Sequence, residues 1–275
     1  MPRVSFCNWL TMTELKPTAN LHTPPGEPAP VHMALDNVTF GYTTTPIIRD
    51  LHWIIHEGET WSVLGPSGSG KTTLLYLLAG LRKAQRGTVY FRDQPVIEPS
   101  HDVGLMLQDY GLLPWMNAER NVQLGLKIRG IPRDERHRIR AAWLERMQIS
   151  QVANQYPTQM SGGQRQRVAL ARVLALQTEV LLLDEPLSAV DELTRERLQT
   201  TLRDIVSELG VTMVMVTHSV EEAALLTDHV LVFPEEGPLH SALMVKNPLT
   251  QPEMRQRDNP VFQQFCKQVR ADLGL

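Results

Sequence analysis

Residues 65–73, GPSGSGKTT, have the composition and spacing of a phosphate-binding loop. They fit the pattern GxxxxGK[ST], follow the strand-like run TWSVL and open a helix-like run, which is the context that the pattern requires. In such a loop, backbone N–H groups and a helix N-terminus point at phosphate oxygens. We therefore expect Lys71 to contact terminal phosphates and Thr72 to offer its hydroxyl to Mg²⁺. The candidate nucleotide-binding residues of this phosphate loop are Gly65, Pro66, Ser67, Gly68, Ser69, Gly70, Lys71, Thr72 and Thr73.

Two adjacent carboxylates follow a second apolar run, VLLLDEP, at residues 180–186. Asp184 at the strand end fits a partner for the metal, through water. Glu185 comes next, at the carboxyl end of a strand, where α/β proteins place their sites, and a carboxylate there can orient and deprotonate an attacking water. An acidic strand cap is the alternative, and the presence of a phosphate loop makes it the weaker interpretation.

A histidine and a second glycine segment complete the polar candidates. His218 ends the run VTMVMVTH and is expected to contact the γ-phosphate or to hold Glu185 in place; a surface histidine without a chemical role is the alternative. The segment MSGGQ, residues 160–164, opens a helix-like run with no obvious strand before it. An ordinary N-capped helix beginning at Ser161 is one explanation of that segment.

Strand-like and helix-like runs alternate along most of the chain. Residues 34–40, LHWIIHEGE and GTVYFRD have the alternation or turn residues of strands, and the middle of the chain, residues 117–152, has a helical pattern that Pro132 interrupts. After Gly163, helices and apolar strands alternate as far as HVLVF. Such alternation predicts a largely parallel sheet, with the helical middle inserted as a second lobe.

Composition excludes several classes of function. The chain of 275 residues carries a formal net charge of −3 and no long Lys/Arg block, which argues against a nucleic-acid-binding protein. Apolar runs such as VTMVMV fall far short of the ~20 residues that cross a bilayer. Two cysteines, Cys7 and Cys266, are too few for a disulfide framework or a cysteine metal site.

The order of the motifs resembles that of the ATPase subunit of an ABC transporter. The resemblance covers about residues 33–233 and rests on motifs that stand in that family's order: GPSGSGKTT, Gln108 after VGLML, MSGGQ, VLLLDEP, SAVD and a strand ending in His218. The resemblance implies an α/β fold: a P-loop ABC-type ATPase with a mixed, largely parallel core sheet, an N-terminal antiparallel β region and an inserted helical subdomain. It also implies ATP and Mg²⁺ as the bound cofactors.

In that family two subunits pack head to tail, and the Ser-Gly-Gly of one covers the γ-phosphate held by the other. The resemblance therefore implies that the Ser-Gly-Gly segment of this chain forms a second anion cradle, for the γ-phosphate that the opposite subunit holds. Tyr42 matches the aromatic that stacks on adenine, and Gln108 matches the residue that reaches metal and water and senses the membrane partner. The signature segment is Ser161, Gly162, Gly163 and Gln164, and the dimer loop across the interface is Ser188, Ala189, Val190 and Asp191.

The resemblance assigns the remaining roles by position. Three positions depart from the usual pattern without removing a catalytic group: Met160 and Val190 replace Leu, and Ser219 stands where Asp is frequent. The expected catalytic residues are Glu185, His218, Lys71 and Gln108, and the expected metal site comprises Thr72, Gln108 and Asp184.

A single cassette without membrane helices resembles an importer subunit most. Exporters usually carry membrane helices in the same chain, DNA-repair members insert a very long coiled coil, and translation-linked members usually carry two cassettes. QDYGLLPW, residues 108–115, and THSVEEAALLTD are similar to the nitrate/sulfonate/taurine importer group, and importers of pyrimidine thiamine precursors share much of both. We expect LLPW to dock a partner helix, with core packing of Trp115 as the alternative.

We therefore expect an ATP-hydrolysing subunit that powers solute import from the cytoplasmic face of the cell membrane, as a peripheral protein. Its expected partners are transmembrane permease subunits, a second ATPase subunit (taken as a copy of this chain, head to tail) and, indirectly, a periplasmic solute-binding protein, but no nucleic acid. A soluble ABC ATPase that remodels a macromolecule is one alternative. A phosphate-loop small-molecule kinase is another, although it leaves the signature segment and Asp191 without a role.

The predicted organisation has three parts. Residues 1–32, rich in proline and small polar residues, are expected to be a disordered extension, with Met12 and Met33 as alternative starts. Residues 33–233 form the ATPase domain, with the helical subdomain at about 109–165. Residues 234–275 form a C-terminal tail in which 259–273 fit one amphipathic helix on the body.

Overall fold

The computed structural model describes residues 29–233 and 242–274. The predicted extension 1–32 therefore lies outside the described residues up to residue 28, and the first strand already begins at Val31. Among the described residues, no helix is both long and apolar enough to span a membrane.

An antiparallel sheet forms the first layer. Its strands are β1 (Val31–Phe40), β2 (Ile48–His56), β4 (Arg86–Phe91) and β5 (Gln94–Pro95), in the order β2-β1-β4-β5. Alternate side chains of β2 are buried, as expected for a sheet with one face on the core. The sequence predicted the three long strands but not the two-residue β5.

A second, six-stranded core sheet runs through the centre of the domain. Its strands are β3 (Thr60–Leu64), β6 (Val103–Met106), β7 (Val180–Asp184), β8 (Thr212–Val216), β9 (His229–Val232) and β10 (Leu243–Lys246), in the order β10-β9-β3-β8-β7-β6. All neighbouring pairs are parallel except β10 with β9. Every residue of β3, β7 and β8 is buried, which explains why these strands are continuous apolar runs.

Seven helices surround or extend the sheets. They are α1 (Lys71–Leu78), α2 (Ala118–Ile128), α3 (Arg133–Arg146), α4 (Gly162–Leu174), α5 (Glu192–Leu209), α6 (Val220–Leu226) and α7 (Pro260–Leu273), counted within the described ranges. Pro132 caps α3, so it separates two helices as predicted. The predicted mixed sheet, antiparallel region and helical insertion are confirmed.

The helical insertion shares one apolar core with the core sheet. Val122, Leu126, Ile139 and Trp143 are buried in the same cluster as Met106 of β6. Ile128, the last residue of α2, is instead 70% exposed.

The C-terminal helix α7 packs onto the body, as its amphipathic pattern predicted. Phe262, Phe265 and Cys266 are buried against Ala223 of α6 and Val232 of β9, among others. Strand β10 was not predicted, because its four residues, LMVK, show no alternation of apolar and polar side chains. In the structure, Leu243 and Met244 are large exposed hydrophobic residues.

Candidate functional site

The candidate site lies at the carboxyl edge of the core sheet. Strand β3 leads into the phosphate loop, and its neighbour β8 leads to His218. Strand β7, which pairs with β8, ends in Asp184. Because these strands are parallel neighbours, the topology brings the three groups of predicted residues to one place.

The phosphate loop is closed by its own lysine. Lys71 Nζ donates to the backbone oxygens of Gly65 at 2.8 Å and Pro66 at 2.7 Å. Burial lowers the pKa of Lys71, while the negative charges of Glu185 and Asp184 raise it. The ammonium is thus held across the loop, beside the carboxylates.

Two further features of the loop fit a phosphate group. The Ser69 hydroxyl is buried and has no hydrogen-bond partner among the described residues, so a phosphate oxygen would satisfy it as an acceptor. Gly70 caps α1 with φ 89°, and a Cβ there would meet Ile47 Cγ2 at 2.5 Å. The loop therefore needs glycine at this position both for its conformation and for its close approach to Ile47.

The expected metal ligands Thr72 and Asp184 touch each other. Thr72 Oγ1 donates to Asp184 Oδ2 at 2.7 Å, and Asp184 is 2% exposed. Burial raises the pKa of Asp184, and the hydrogen bond from Thr72 opposes that rise. A hydroxyl beside a carboxylate is the oxygen donor set that Mg²⁺ binds in nucleotide sites. The third expected ligand, Gln108, is exposed two residues after the end of β6, on the same sheet edge.

Glu185 has an unusual backbone conformation. Its φ is 48°, in the left-handed region that a non-glycine residue adopts only at a cost of about 1–3 kcal/mol. Its N–H donates to Val216 O at 2.9 Å, which ties it to the end of β8. His218 Nδ1 lies 3.9 Å from Glu185 Oε1, although the histidine side chain is 69% exposed. The left-handed backbone thus coincides with the point where the chain leaves β7, and the Glu185 side chain lies beside His218.

Tyr42 lies next to the phosphate loop. Its hydroxyl is 3.3 Å from Thr73 Oγ1, and its side chain is 56% exposed. The Arg82 guanidinium lies 5.9 Å from the ring centroid. An exposed aromatic ring at this position is available for stacking on a planar base.

The signature segment is the N-terminus of α4. Ser161 Oγ accepts from Gln164 N at 3.2 Å, and Gln164 Oε1 accepts from Ser161 N at 2.8 Å, a reciprocal capping box. The predicted helix beginning at Ser161 is therefore present. Within the described part of the chain, no hydrogen bond joins residues 161–164 to the phosphate loop.

The dimer loop packs against the signature segment of the same chain. A Cβ on Gly163 would lie 3.0 Å from Val190 Cγ1, and one on Gly162 would lie 3.5 Å from Ala189 Cβ. Asp191 caps α5 by accepting from Thr194 N at 3.0 Å, and the hydrogen bonds from Thr194 lower its pKa. The structure thus places two sets of expected residues: one around the phosphate loop and one around the start of α4.

The buried side chain of Gln166 joins the two sets, and sequence reasoning missed it. Its Nε2 donates to Glu185 O at 3.0 Å and lies 3.4 Å from Ser188 Oγ, while its Oε1 accepts from Ala189 N at 3.3 Å. Gln166 is 1% exposed. In the run GGQRQRV, a glutamine among other polar residues is typical of a solvent-exposed helix face. Only its burial in the structure shows that Gln166 supports the site.

Hydrogen bonds from side chains of two helices fix the backbone of residues 108–115, here called the docking loop. Arg172 of α4 donates to Tyr110 O at 2.7 Å and Gly111 O at 2.6 Å. Asn121 of α2 is fully buried, accepts from Leu113 N at 2.8 Å and donates to Leu113 O at 3.2 Å. Trp115 is 67% exposed, so core packing, the alternative for this residue, is wrong in the isolated chain.

Ser219, which stands where aspartate is frequent, lies at the start of α6. It caps α6 by accepting from Glu222 N at 3.2 Å. Serine and aspartate are comparable N-caps, so this departure from the usual pattern conserves the helix start. Met160 and Val190, the other two departures, are both buried, 5% and 4% exposed, as apolar replacements for leucine would be.

Comparison with known proteins gives concordant results. Residues 48–188 match the family described as ABC transporter. The taurine import ATP-binding protein TauB of Pseudomonas aeruginosa is 44% identical over 192 residues, 70% of this chain and 72% of the relative. The sulfate/thiosulfate import ATP-binding protein CysA of Mesorhizobium japonicum is 43% identical over 72% of this chain and 60% of the relative. The Fe(3+) ions import ATP-binding protein FbpC of Fusobacterium nucleatum is 38% identical over 74% of this chain and 56% of the relative.

Solved structures agree with the fold. The dimeric ATP-binding cassette MJ0796, in a post-hydrolysis state bound to ADP and phosphate, has a TM-score of 0.70 at 30% identity and covers 78% of this chain and 98% of its own. CbiO1 of Clostridium perfringens, part of an ABC transporter complex, has a TM-score of 0.69 at 24% identity over 85% of this chain and 98% of its own. The latter likeness supports the fold alone.

Proposed function

This chain belongs to the ABC transporter family, and on that basis we propose that it is the ATP-binding and ATP-hydrolysing subunit that powers import of a small solute through a membrane permease. The observation that carries the proposal is the meeting of Lys71, the Thr72–Asp184 hydrogen bond and the Glu185–His218 pair at one sheet edge. A kinase would need an acceptor site, and the signature segment and dimer loop would have no role in it.

The arrangement supports in-line attack of water on the γ-phosphate of ATP. Glu185 accepts a proton from the attacking water, and His218, beside it, holds the carboxylate or contacts the γ-phosphate. Lys71 stabilises the charge on the terminal phosphates, and Tyr42 stacks on the adenine. Mg²⁺, when bound, would supply positive charge that neutralises the phosphates, and Thr72, Asp184 and Gln108 are the residues that would hold it.

A second subunit completes the site in this proposal. The Ser161–Gln164 hydrogen bonds leave the N–H groups of Gly162 and Gly163 at the exposed start of α4, where a helix N-terminus attracts an anion. No contact within the described chain brings them to its own phosphate loop. Head-to-tail pairing of two copies, with the dimer loop at the interface, would place them on the opposite γ-phosphate.

The permease contact is assigned to the docking loop. Trp115 is exposed on a loop whose backbone is fixed by Asn121 and Arg172, so it is a rigidly presented aromatic anchor of the kind that dominates protein interfaces. We therefore place the subunit peripherally on the cytoplasmic face of the cell membrane, bound to transmembrane permease subunits. A periplasmic solute-binding protein would act on the permease and not on this chain, and nucleic acid is not a partner.

For the solute we propose a small sulfonate such as taurine. The support is the 44% identity to a taurine import ATP-binding protein, together with the docking-loop sequence QDYGLLPW. The solute does not touch an ATP-binding subunit, so its identity must be determined by measuring uptake in cells. Cells that lack this chain should lose uptake of labelled taurine and regain it with the wild-type chain but not with Glu185→Gln. Loss of sulfate uptake in place of taurine uptake would move the solute to the sulfate class.

The transporter assignment is tested by capture from membranes. Tagged Glu185→Gln chain is isolated from its own cells in mild detergent with Mg-ATP, and its companions are identified by mass. We expect a multi-spanning membrane protein as the main companion. A soluble companion, or none with the chain wholly outside the membrane fraction, would refute the transporter function.

ATP turnover tests the chemistry separately. Glu185→Gln is isosteric but cannot accept the proton, so hydrolysis should fall by at least about 100-fold. Glu145→Gln, the same change at an exposed position of α3, is the matched control and should keep wild-type turnover. Equal turnover in the two variants would show that Glu185 is not the base.

A further inference from the structure

Glu222 is a buried carboxylate that the reaction described above does not use. It lies on α6, is 6% exposed and accepts a hydrogen bond of 2.6 Å from Thr217 Oγ1. Thr217 Oγ1 in turn accepts from Ser219 N at 3.1 Å, and Ser219 Oγ accepts from Glu222 N at 3.2 Å. These bonds enclose His218: the Glu222 carboxylate holds Thr217 before it, and the Glu222 backbone N–H holds Ser219 after it.

The opposite charge comes from Arg195, on the first turns of α5. Its Nη2 donates to Val190 O at 2.9 Å, and its Nε lies 3.4 Å from Leu187 O, so the guanidinium contacts one carbonyl oxygen within the dimer loop and one just before it. The same Nε lies 3.9 Å from Glu222 Oε1, and Nη1 pairs with Glu192 at 2.7 Å. One arginine therefore contacts the dimer loop and the carboxylate that fixes His218.

The energetics of Glu222 depend on that arginine. Burial raises the pKa of Glu222, while the hydrogen bonds from Thr217 and Gln199 and the charges of Arg195 and His218 lower it. A buried carboxylate costs free energy unless it is paired and hydrogen-bonded, so a residue kept there needs Arg195 in place. The other partners of Arg195 are Glu192 on its own helix and the carbonyl oxygens of Val190 and Leu187, so a change in the conformation of the dimer loop would displace the guanidinium.

We propose that Arg195 and Glu222 are a pair of positioning residues for ATP hydrolysis, which couples the conformation of the dimer loop to the placement of His218. The inference rests on the proposed function, since it assigns these residues to the same reaction. Neither side chain contacts the phosphate loop within the described residues. They therefore act through Ser188–Asp191 and His218, and misplacement of such groups by about 1 Å lowers the rate of a step without preventing binding.

The kinetic test is a split between kcat and KM. Arg195→Ala should lower kcat for ATP on the order of tenfold and leave KM within about twofold, because the nucleotide-binding residues are untouched. Arg195→Lys keeps the positive charge but not the planar fork, so it cannot hold both carbonyl oxygens, and an intermediate kcat is expected. Arg197→Ala, on the same helix and exposed, is the control and should match the wild type.

Glu222→Gln and the double variant separate coupling from stability. Glu222→Gln keeps an acceptor for Thr217 and loses the charge, so a fall in kcat of a few fold is expected. In Arg195→Ala/Glu222→Gln the two reductions in kcat should not multiply, because each single change already removes the same contact, the one between Arg195 and Glu222. Thermal unfolding is measured for every variant; if Arg195→Ala does not fold, Arg195→Lys and Glu222→Gln carry the test.

The outcomes separate the two proposals. Variants with lowered melting temperature but wild-type kcat would make the pair structural only and overturn the inference. Fully multiplicative effects in the double variant would also overturn it. A wild-type chain that hydrolyses no ATP would refute the proposed function and the inference together, whereas an active wild type with equally active variants would refute the inference alone.

Discussion

Two glycines of the phosphate loop allow the contributions of conformation and space to be separated. Gly68 and Gly70 both have positive φ, 81° and 89°. A Cβ on Gly68 would meet no atom within 4 Å, whereas one on Gly70 would meet Ile47 Cγ2 at 2.5 Å. Substitution by alanine therefore imposes the same backbone cost at both positions and a steric cost at only one.

The expected magnitudes follow from these two terms. An alanine in the left-handed region costs about 1–2 kcal/mol, so Gly68→Ala should lower the free energy of unfolding by about that amount. Gly70→Ala adds a clash with Ile47 Cγ2 that is relieved only if one of the two groups moves, about 1–3 kcal/mol more. For a domain of this size each kcal/mol corresponds to about 2–4 °C, so the predicted losses of melting temperature are about 4 °C and about 10 °C.

The assay is thermal unfolding of the nucleotide-free chain, so that phosphate contacts do not contribute. Ile47→Ala supplies the rescue, because it removes Cγ2 and leaves Ile47 Cβ at 3.8 Å, an ordinary contact. In that background Gly70→Ala should cost no more than Gly68→Ala costs in the wild type. Equal losses for the two single variants, or no rescue by Ile47→Ala, would refute the reasoning.

Further predictions concern the buried ionisable groups. Burial raises the pKa of Asp184, so the folded chain favours the protonated carboxyl. The stability that the protonated group contributes at low pH is lost as pH rises above the unfolded-state pKa and through the folded-state pKa. Asp184→Asn should therefore raise the melting temperature of the nucleotide-free chain at pH 7 but not at pH 4, while abolishing Mg²⁺-dependent hydrolysis; no gain at pH 7 would contradict the shift. Burial raises the pKa of the Cys266 thiol to about 11, and the side chain is 3% exposed. In a Cys7→Ser chain at pH 8, a thiol reagent should react with Cys266 at least about 100-fold more slowly in the native than in the unfolded state, and equal rates would show that Cys266 is accessible.

The sequence predicted the centre of the site better than its supports. GPSGSGKTT and VLLLDEP combine a rare residue pattern with a strand of continuous apolar residues, so both the chemistry and the sheet edge follow from local information. Asp184 and Thr72 then had to meet, because parallel strands place their carboxyl ends together. The expected placement of His218 near Glu185 followed from the same rule.

The side chains that hold the site in place were not predicted, because their role depends on burial and burial cannot be read from a residue's type. Gln166, Asn121 and Glu222 lie in helices with polar neighbours, where a polar residue is typical of a solvated face. Their burial results from packing between elements distant in sequence, such as α4 against the dimer loop. The left-handed backbone of Glu185 was equally unpredictable, since nothing in DEP distinguishes a strained conformation from a regular strand end.

Helix α4 connects the parts that the motifs treat as separate. Its first residues form the signature segment, Gln166 in its second turn contacts Glu185 O and the dimer loop, and Arg172 near its end holds the docking loop. A helix of 13 residues transmits displacement along its axis as a rigid element, whereas flexible loops would absorb it. A partner that moves the docking loop must therefore move Arg172, and with it the start of α4 and the backbone of Glu185. The distance between the proposed permease contact and the proposed site of hydrolysis is thus spanned by a single helix, with the polar side chain of Gln166 buried between its two ends.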